Sequence, residues 1–161
     1  MKTTRFGFGY DVHRLAKNRK LILGGVTLKS ERGLLGHSDA DVLSHAIADS
    51  LLGAAALGDI GKHFPDTDKK WKNISSLVIL KQVYLLIKKA KYKIVNIDST
   101  VVLEKPKISP YINKIKINIS KSLSIHISKL SIKATTNEKL GDIGKQKGAA
   151  AYAISSITKI K

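Results

Sequence analysis

Segments of helical period alternate along this chain with short extended or β-branched segments, and that alternation limits the possible folds more than any other feature. Residues 6–12 and 20–23 read as strands, the second followed by a Gly24-Gly25 turn. Residues 33–38 read as a loop, and Ser38 or Asp39 is a good N-cap for a helix over 41–57 that buries Val42, Ala46, Leu52 and Ala56. A loop rich in glycine, proline and aspartate follows over 58–68. Leu77, Leu80, Val83, Tyr84 and Ile87 have the spacing of a helix over 76–91. Residues 94–103 alternate as a strand with Ile97, Ser99 and Val101 on one face. Residues 111–123 fit both periods, and Pro110 at a first-turn position favours a helix. A strand over 130–135, a polar loop over 136–147 and a final helix over 148–160 complete the chain. The order β, β-α, α-β, α-β, α implies an α/β layer arrangement.

A chain of 161 residues is long enough for a real core and short for two full-sized domains, so one domain over 1–161 is expected. It contains no cysteine, which excludes disulfides and thiolate metal sites. It has no secretory-type apolar segment at its start and no apolar run near the ~18 residues of a membrane span. The expectation is a soluble, cytoplasmic protein with no membrane partner. The formal charge of +17 suggests phosphate-bearing partners, but only four of the 29 basic residues are arginine and aromatics make up 6%. The lysines are dispersed among isoleucine, serine and asparagine, a pattern that compositional drift explains as well as nucleic-acid binding does. The expectation is no nucleic acid, with the positive field favouring small anionic substrates such as diphosphates.

The chemistry concentrates first at Asp11-Val12-His13 and His45. Asp11 and His13 are two apart on an extended segment, so they face one side and can reach the same ion. His45 on a facing helix would complete a two-histidine, one-carboxylate set with a fourth position open, as in catalytic zinc sites. Asp41 and Asp49 lie one turn before and after His45, where a carboxylate can orient a metal-bound imidazole; solvated acids on a capped helix are the other reading. His37-Ser38-Asp39 precedes the helix N-terminus, where N–H groups attract anions; a plain surface histidine is the alternative. The acids and glycines of 58–68 suit either substrate hydroxyls or ordinary turns. Thr135-Thr136-Asn137-Glu138 follows a strand, and its hydroxyls and amides suit a phosphate, with Glu138 able to hold Mg²⁺; a polar surface loop is the alternative. Walker A, Gly-x-Gly-x-x-Gly and serine-elbow motifs are absent.

Taken in order, several blocks resemble the 2-C-methyl-D-erythritol 2,4-cyclodiphosphate synthase family. They are Gly9-Tyr10-Asp11-Val12-His13-Arg14, Gly33 to Val42, Leu52 to Gly61, Phe64-Pro65-Asp66-Thr67-Asp68, Glu104-Lys105-Pro106-Lys107 and Lys133-Ala134-Thr135-Thr136, and they span essentially the whole chain. The resemblance implies an α+β two-layer fold, a mixed β-sheet with helices packed on one face, assembling into a homotrimer with active sites between subunits. It implies a lyase of non-mevalonate isoprenoid synthesis that cyclises 4-diphosphocytidyl-2-C-methyl-D-erythritol 2-phosphate and releases CMP. By similarity, Asp11, His13 and His45 bind Zn²⁺, Glu138 helps place Mg²⁺ or Mn²⁺ through the phosphates, and His37 and Thr136 stabilise the transition state. Asp11, Val12, His13, His37, Ser38, Asp59, Ile60, Gly61 and Phe64, Pro65, Asp66, Thr67, Asp68 match substrate-contacting segments. Leu103, Glu104, Lys105, Pro106, Lys107, Ile108, Ser109 and Thr135, Thr136, Asn137, Glu138 match nucleotide-binding ones.

The chain departs from the family pattern over Gly141 to Gly148, where Asp142 and Lys145 stand at the usual phenylalanine and arginine positions among the substrate contacts. Lysine keeps the charge and loses the bidentate fork. Phe8 stands where a polar residue is frequent.

Overall fold

The computed structural model describes residues 3–160. Its frame is a five-stranded sheet in the order β4-β1-β7-β5-β6, built from β1 (Thr4–Lys17), β4 (Arg32–Leu34), β5 (Tyr92–Val102), β6 (Leu130–Thr135) and β7 (Gly148–Lys159). β5 and β6 run parallel and the other neighbours antiparallel, so the sheet is mixed. The helices α1 (Val42–Ala54), α3 (Ser76–Lys89) and α4 (Ile112–Ser122) cover one face, and α2 (Ile60–His63) and α5 (Gly141–Gly144) are single turns in loops. A separate hairpin pairs β2 (Leu21–Leu23) with β3 (Val26–Leu28). Gly24 and Gly25 both take positive φ, as the tight turn between these strands requires. No helix among the described residues is long and apolar enough to cross a membrane.

The largest difference from the sequence expectation is at the C-terminal end, where the helix expected over 148–160 is instead the strand β7, Gly148–Lys159. Alanine-rich sequence has high helix propensity. In this place tertiary context overrides it, because β7 completes hydrogen-bond ladders to both β1 and β5. Its alanines are there for size. Ala151 and Ala153 pair with Asp11 and Gly9 on β1, and with Val101 and Ser99 on β5, forming a low floor under α1.

On β1 the odd-numbered residues face that helix, and Gly7 and Gly9 let it come very close. A Cβ on Gly9 would lie 2.0 Å from the Ala46 carbonyl oxygen, and one on Gly7 would lie 2.0 Å from that of Ser50. The facing stripe of α1 is Ala46, Ser50 and Ala54, one residue per turn, and the Ser50 and Ser155 hydroxyls meet at 2.5 Å. Ala46, Ile47, Leu51 and Leu52 of α1 join Ile79, Leu80, Val83 and Ile87 of α3 and Ile115 and Ile119 of α4 in one buried cluster. As expected, Ile97, Ser99 and Val101 all point into this side of the sheet.

The smaller revisions have local causes. The first strand is longer than 6–12, because β1 continues to Lys17 by pairing with β4, inside the segment expected to be a loop. The α1 N-cap is Asp41 and not Ser38 or Asp39: Ala40 at positive φ turns the chain so that Asp41 accepts from Ser44 N–H. The loop over 58–68 contains α2, and the loop over 136–147 contains α5.

Candidate active site

The extended backbone of β1 puts Asp11 and His13 on its helix-facing side, and the close seat of α1 on Gly9 brings His45 over them. Asp11 Oδ2 lies 3.0 Å from His13 Nε2 and 3.0 Å from His45 Nδ1, and the two nitrogens are 3.3 Å apart. Among the described residues these three side chains form the group able to hold a metal ion, one donor atom from each. A tetrahedral ion with ligand bonds of about 2.0–2.1 Å separates its ligands by about 3.3 Å. The donor types and their spacing therefore fit a first-row divalent ion.

The other nitrogen of His45, Nε2, lies 2.9 Å from Ser76 Oγ and 3.1 Å from Ser38 Oγ. This corrects the expected roles of Asp41 and Asp49. Asp41 is fully buried as the α1 N-cap and accepts from Ser44 N–H, Ser44 Oγ–H and Gly25 N–H. Asp49 accepts from Ile60 N–H at 2.7 Å and so anchors α2. Helical spacing placed both acids one turn from His45, but each carboxylate turns toward a nearer unpaired N–H. Asp41 also occupies the α1 N-terminus, leaving that end a protein carboxylate and not an open anion site.

Burial raises the Asp11 carboxyl, but bonds to His13 and His45 outweigh it and hold the group well below the usual carboxylate range. Burial depresses His45, and its bond to Asp11, with the charges of Asp11, Asp41 and Asp39, more than reverses that and leaves it raised. Burial raises Asp41 and Asp49. A metal must displace the proton that His45 carries in the ion-free site. Because that pKa is raised, displacement begins to cost affinity at a pH above the ordinary imidazole value of 6.5. Metal affinity is expected to be flat at higher pH and to fall about tenfold per unit below the His45 pKa. Chelator-competition titrations across pH would measure the onset, and an onset below the ordinary value would contradict the ion pair with Asp11.

The triad opens into a cavity of about 450 Å³ lined by His13, His37, Ser38 and His45 on one side and Ile60, Gly61, Phe64, Pro65, Asp66, Thr67 and Trp71 on the other. Phe64 and Trp71 meet edge to face at 5.0 Å. His37 is exposed at the mouth. Asp59 and Asp68 do not line this cavity, since their carboxylates cap α2 and a short 3₁₀ turn at Lys62 and Lys70. Val12 points away on the opposite, exposed face of β1. Trp71 and Ser76 were missed as site residues; the only available signal was that Trp71 is the chain's single tryptophan, next to a loop already suspected.

A second cavity of about 340 Å³ collects Leu103, Glu104, Pro106, Lys107, Ile108, Ser109, Thr135, Thr136 and Glu138 at the ends of β5 and β6. Lys105 faces a neighbouring hollow with Arg32 and Gln146. Thr136 Oγ1 donates to Glu138 at 2.7 Å, and Glu104 accepts from Asn137 N–H at 2.7 Å and Lys139 N–H at 3.3 Å. Glu104 thus ties down a loop whose Glu138 and Lys139 both have positive φ. Asp142 and Lys145 line neither cavity; Asp142 instead pairs with Lys147 at 3.0 Å on the surface.

The cavities share no residue. Asp11 sits across from Ala151, Ala151 from Val101 and Val101 from Ala134. Three strand spacings, roughly 14 Å at about 4.8 Å each, therefore separate the metal-side row from the Thr135 end within one sheet.

Comparison with known proteins bears on this arrangement. The profile of the YgbB family matches residues 4–158. The chain belongs to the YgbB family. Two curated relatives from that family's clostridial members, both named 2-C-methyl-D-erythritol 2,4-cyclodiphosphate synthase, come from Clostridium botulinum (strain Alaska E43 / Type E3) and Clostridium beijerinckii. The first is 59% identical over 96% of this chain and 99% of its own length, and the second 58% over 97% and 99%. Among solved structures, this YgbB chain superposes on the bifunctional IspDF of Campylobacter jejuni with TM-score 0.96 and 39% identity, covering all of this chain and 44% of that one. It matches IspF of Plasmodium falciparum, solved as a CDP complex, with TM-score 0.86 and 37% identity over 100% and 99% of the two chains.

Proposed function

We propose that the chain, acting as a single domain within a homotrimer, converts 4-diphosphocytidyl-2-C-methyl-D-erythritol 2-phosphate to 2-C-methyl-D-erythritol 2,4-cyclodiphosphate and CMP. The observation that carries this reading is the Asp11, His13 and His45 triangle opening into a cavity, in a chain of this family. An oxygen of the 2-phosphate attacks the β-phosphorus of the same molecule. The bond from that phosphorus to the bridging oxygen breaks, and CMP leaves with that oxygen. No water is consumed, which makes the enzyme a phosphorus–oxygen lyase.

The nucleophile is already tethered, so the protein needs to align the groups and neutralise charge rather than form a covalent intermediate. Asp11, His13 and His45 would hold Zn²⁺, and Glu138 would hold Mg²⁺ or Mn²⁺ through the phosphates. When bound, these ions supply Lewis acidity at phosphate oxygens and offset the charge of the leaving CMP. His37 would donate to oxygens that gain charge, as would the Thr136 hydroxyl once its proton turns from Glu138. Ile60, Phe64 and Trp71 give the methylerythritol end an apolar wall that excludes water, while Asp66 and Thr67 supply polar contacts. Lys105 and Lys107 bring positive charge to the nucleotide side. Asp142 and Lys145 would meet the substrate only through a neighbouring subunit, and Val12 only by its backbone. A cytoplasmic location goes with a nucleotide-linked metabolite.

The homotrimer reading is supported by two features. Phe6, Phe8, Tyr10, Val12, Tyr152 and Ile154 form an exposed apolar face opposite the helices, Phe8 at 63% exposure, far beyond scattered surface residues. The metal-side and nucleotide-side cavities also lie too far apart in one sheet to share a reacting centre, so subunits placed side by side would complete each other's sites. Tyr152→Asp is expected to give a monomer by light scattering that still binds zinc but has lost turnover.

Phosphorus NMR of the substrate with protein, Zn²⁺ and Mg²⁺ tests the activity. Appearance of CMP with two coupled cyclic-diphosphate signals is the expected result, and an unchanged spectrum with folded, metal-loaded trimer would overturn the assignment.

A further inference from the structure

Ser76 is fully buried, does not line the cavity beside the triad and lies 31 residues from His45, yet its hydroxyl is the nearest partner of His45 Nε2 at 2.9 Å. The same hydroxyl bonds Asp39, whose other carboxylate oxygen accepts Ser76 N–H at 2.9 Å. We propose that Ser76 and Asp39 are positioning residues that fix the tautomer and angle of the metal ligand His45, a role resting on the metal-site reading above.

The direction of the protons follows from the donor inventory. A carboxylate can only accept, so the Ser76 O–H must point at Asp39. Ser76 Oγ can then only accept from His45, which requires the imidazole proton on Nε2. The Nδ1 proton, which bonds Asp11 in the ion-free site, is then the one a metal displaces, and the lone pair it uncovers is aimed at the point between Asp11 and His13. With one N–H satisfied by Ser76, the Ser38 hydroxyl, 3.1 Å from the same nitrogen, is free to turn toward the cavity that it lines. The relay joins three elements: Asp39 precedes α1, Ser76 opens α3 and His45 sits on α1.

Helix packing can be separated from the relay. In Ser76→Ala the main-chain bond from residue 76 to Asp39 persists, and the Ser75 side chain still caps Leu77 N–H. The metal-free variant should therefore fold, with circular dichroism and melting close to those of the unaltered protein. Zinc affinity, measured by competition with a chromogenic chelator, should weaken by about 10–100-fold, the usual range for loss of a ligand's hydrogen-bond partner. Asp39→Asn should weaken it in the same direction. Ser76→Thr, which keeps the hydroxyl, should restore it, and substituted Co²⁺ should show altered d–d absorption in Ser76→Ala but not in Ser76→Thr.

His45→Ala serves as the control for the site itself. If the unaltered protein holds zinc and His45→Ala loses it, while Ser76→Ala binds as tightly as the unaltered protein, the relay is overturned and the metal site stands. If the unaltered protein binds no zinc, both fall together.

Discussion

His45→Ala should bind no zinc and should lose on the order of 10³-fold in kcat. The reason lies in the triangle of donors: without the imidazole, Asp11 and His13 offer two atoms from one strand, too few to fix an ion. Losing a metal that stabilises phosphoryl charge by several kcal/mol corresponds to a rate loss of that order. Stability gives an independent check. A metal present at about 1,000 times its Kd stabilises a protein by about 4 kcal/mol. For a domain of this size that is roughly 8–16 °C in Tm at about 2–4 °C per kcal/mol. The unaltered protein should show this shift on adding zinc, and His45→Ala should show none. Full turnover in metal-free His45→Ala would sink the proposed mechanism.

Gly9→Ala should destabilise the protein by at least ~3 kcal/mol, although it adds one methyl group to a strand residue. The added carbon would sit 2.0 Å from the Ala46 carbonyl oxygen and 2.7 Å from Ser50 N, both backbone atoms of α1 that no rotamer change can move. The whole helix would have to lift, and His45, next to Ala46, would lift with it. Urea titration should show the lost stability, and whatever folded fraction survives should bind zinc more weakly. Gly53→Ala is the contrasting case. Its Cβ would meet only the Phe8 carbonyl oxygen at 3.9 Å on the exposed side of the same helix. It should raise stability by roughly 0.5–1 kcal/mol through helix propensity. Equal effects at the two glycines would refute the close seat of α1 on β1.

The three side chains able to hold a metal were legible in the sequence because their information is local. Strand alternation alone puts Asp11 and His13 on one side, and a helix carrying His45 needs only to pack on that side. Glu104, Pro106, Lys107, Thr135, Thr136 and Glu138, singled out by resemblance, line one cavity. Glu104, however, proves to brace the 137–139 loop, a pairing 33 residues apart that spacing could not reveal. Asp41 and Asp49 had the right helical spacing and the wrong partners. Spacing tells which side chains share a face, not which unpaired N–H each will find first.

The sequence by itself determined the element types where hydrophobic period was strong: α1, α3, α4, β5 and β6 fall close to their expected bounds. It also singled out the three candidate metal donors that the fold brings together, and its lack of cysteine rules out thiolate ligands. Only the tertiary structure decided that residues 148–159 form the central strand, since a run of small residues suits a helix or a floor beneath one, and the choice depends on ladders offered by β1 and β5. Only the tertiary structure decided that Ser76 and Asp39 attend His45, because that contact exists once α1 and α3 are packed. Periodicity is a property of neighbours along the chain; seating distance and hydrogen-bond partnership arise between elements, where sequence spacing carries no information.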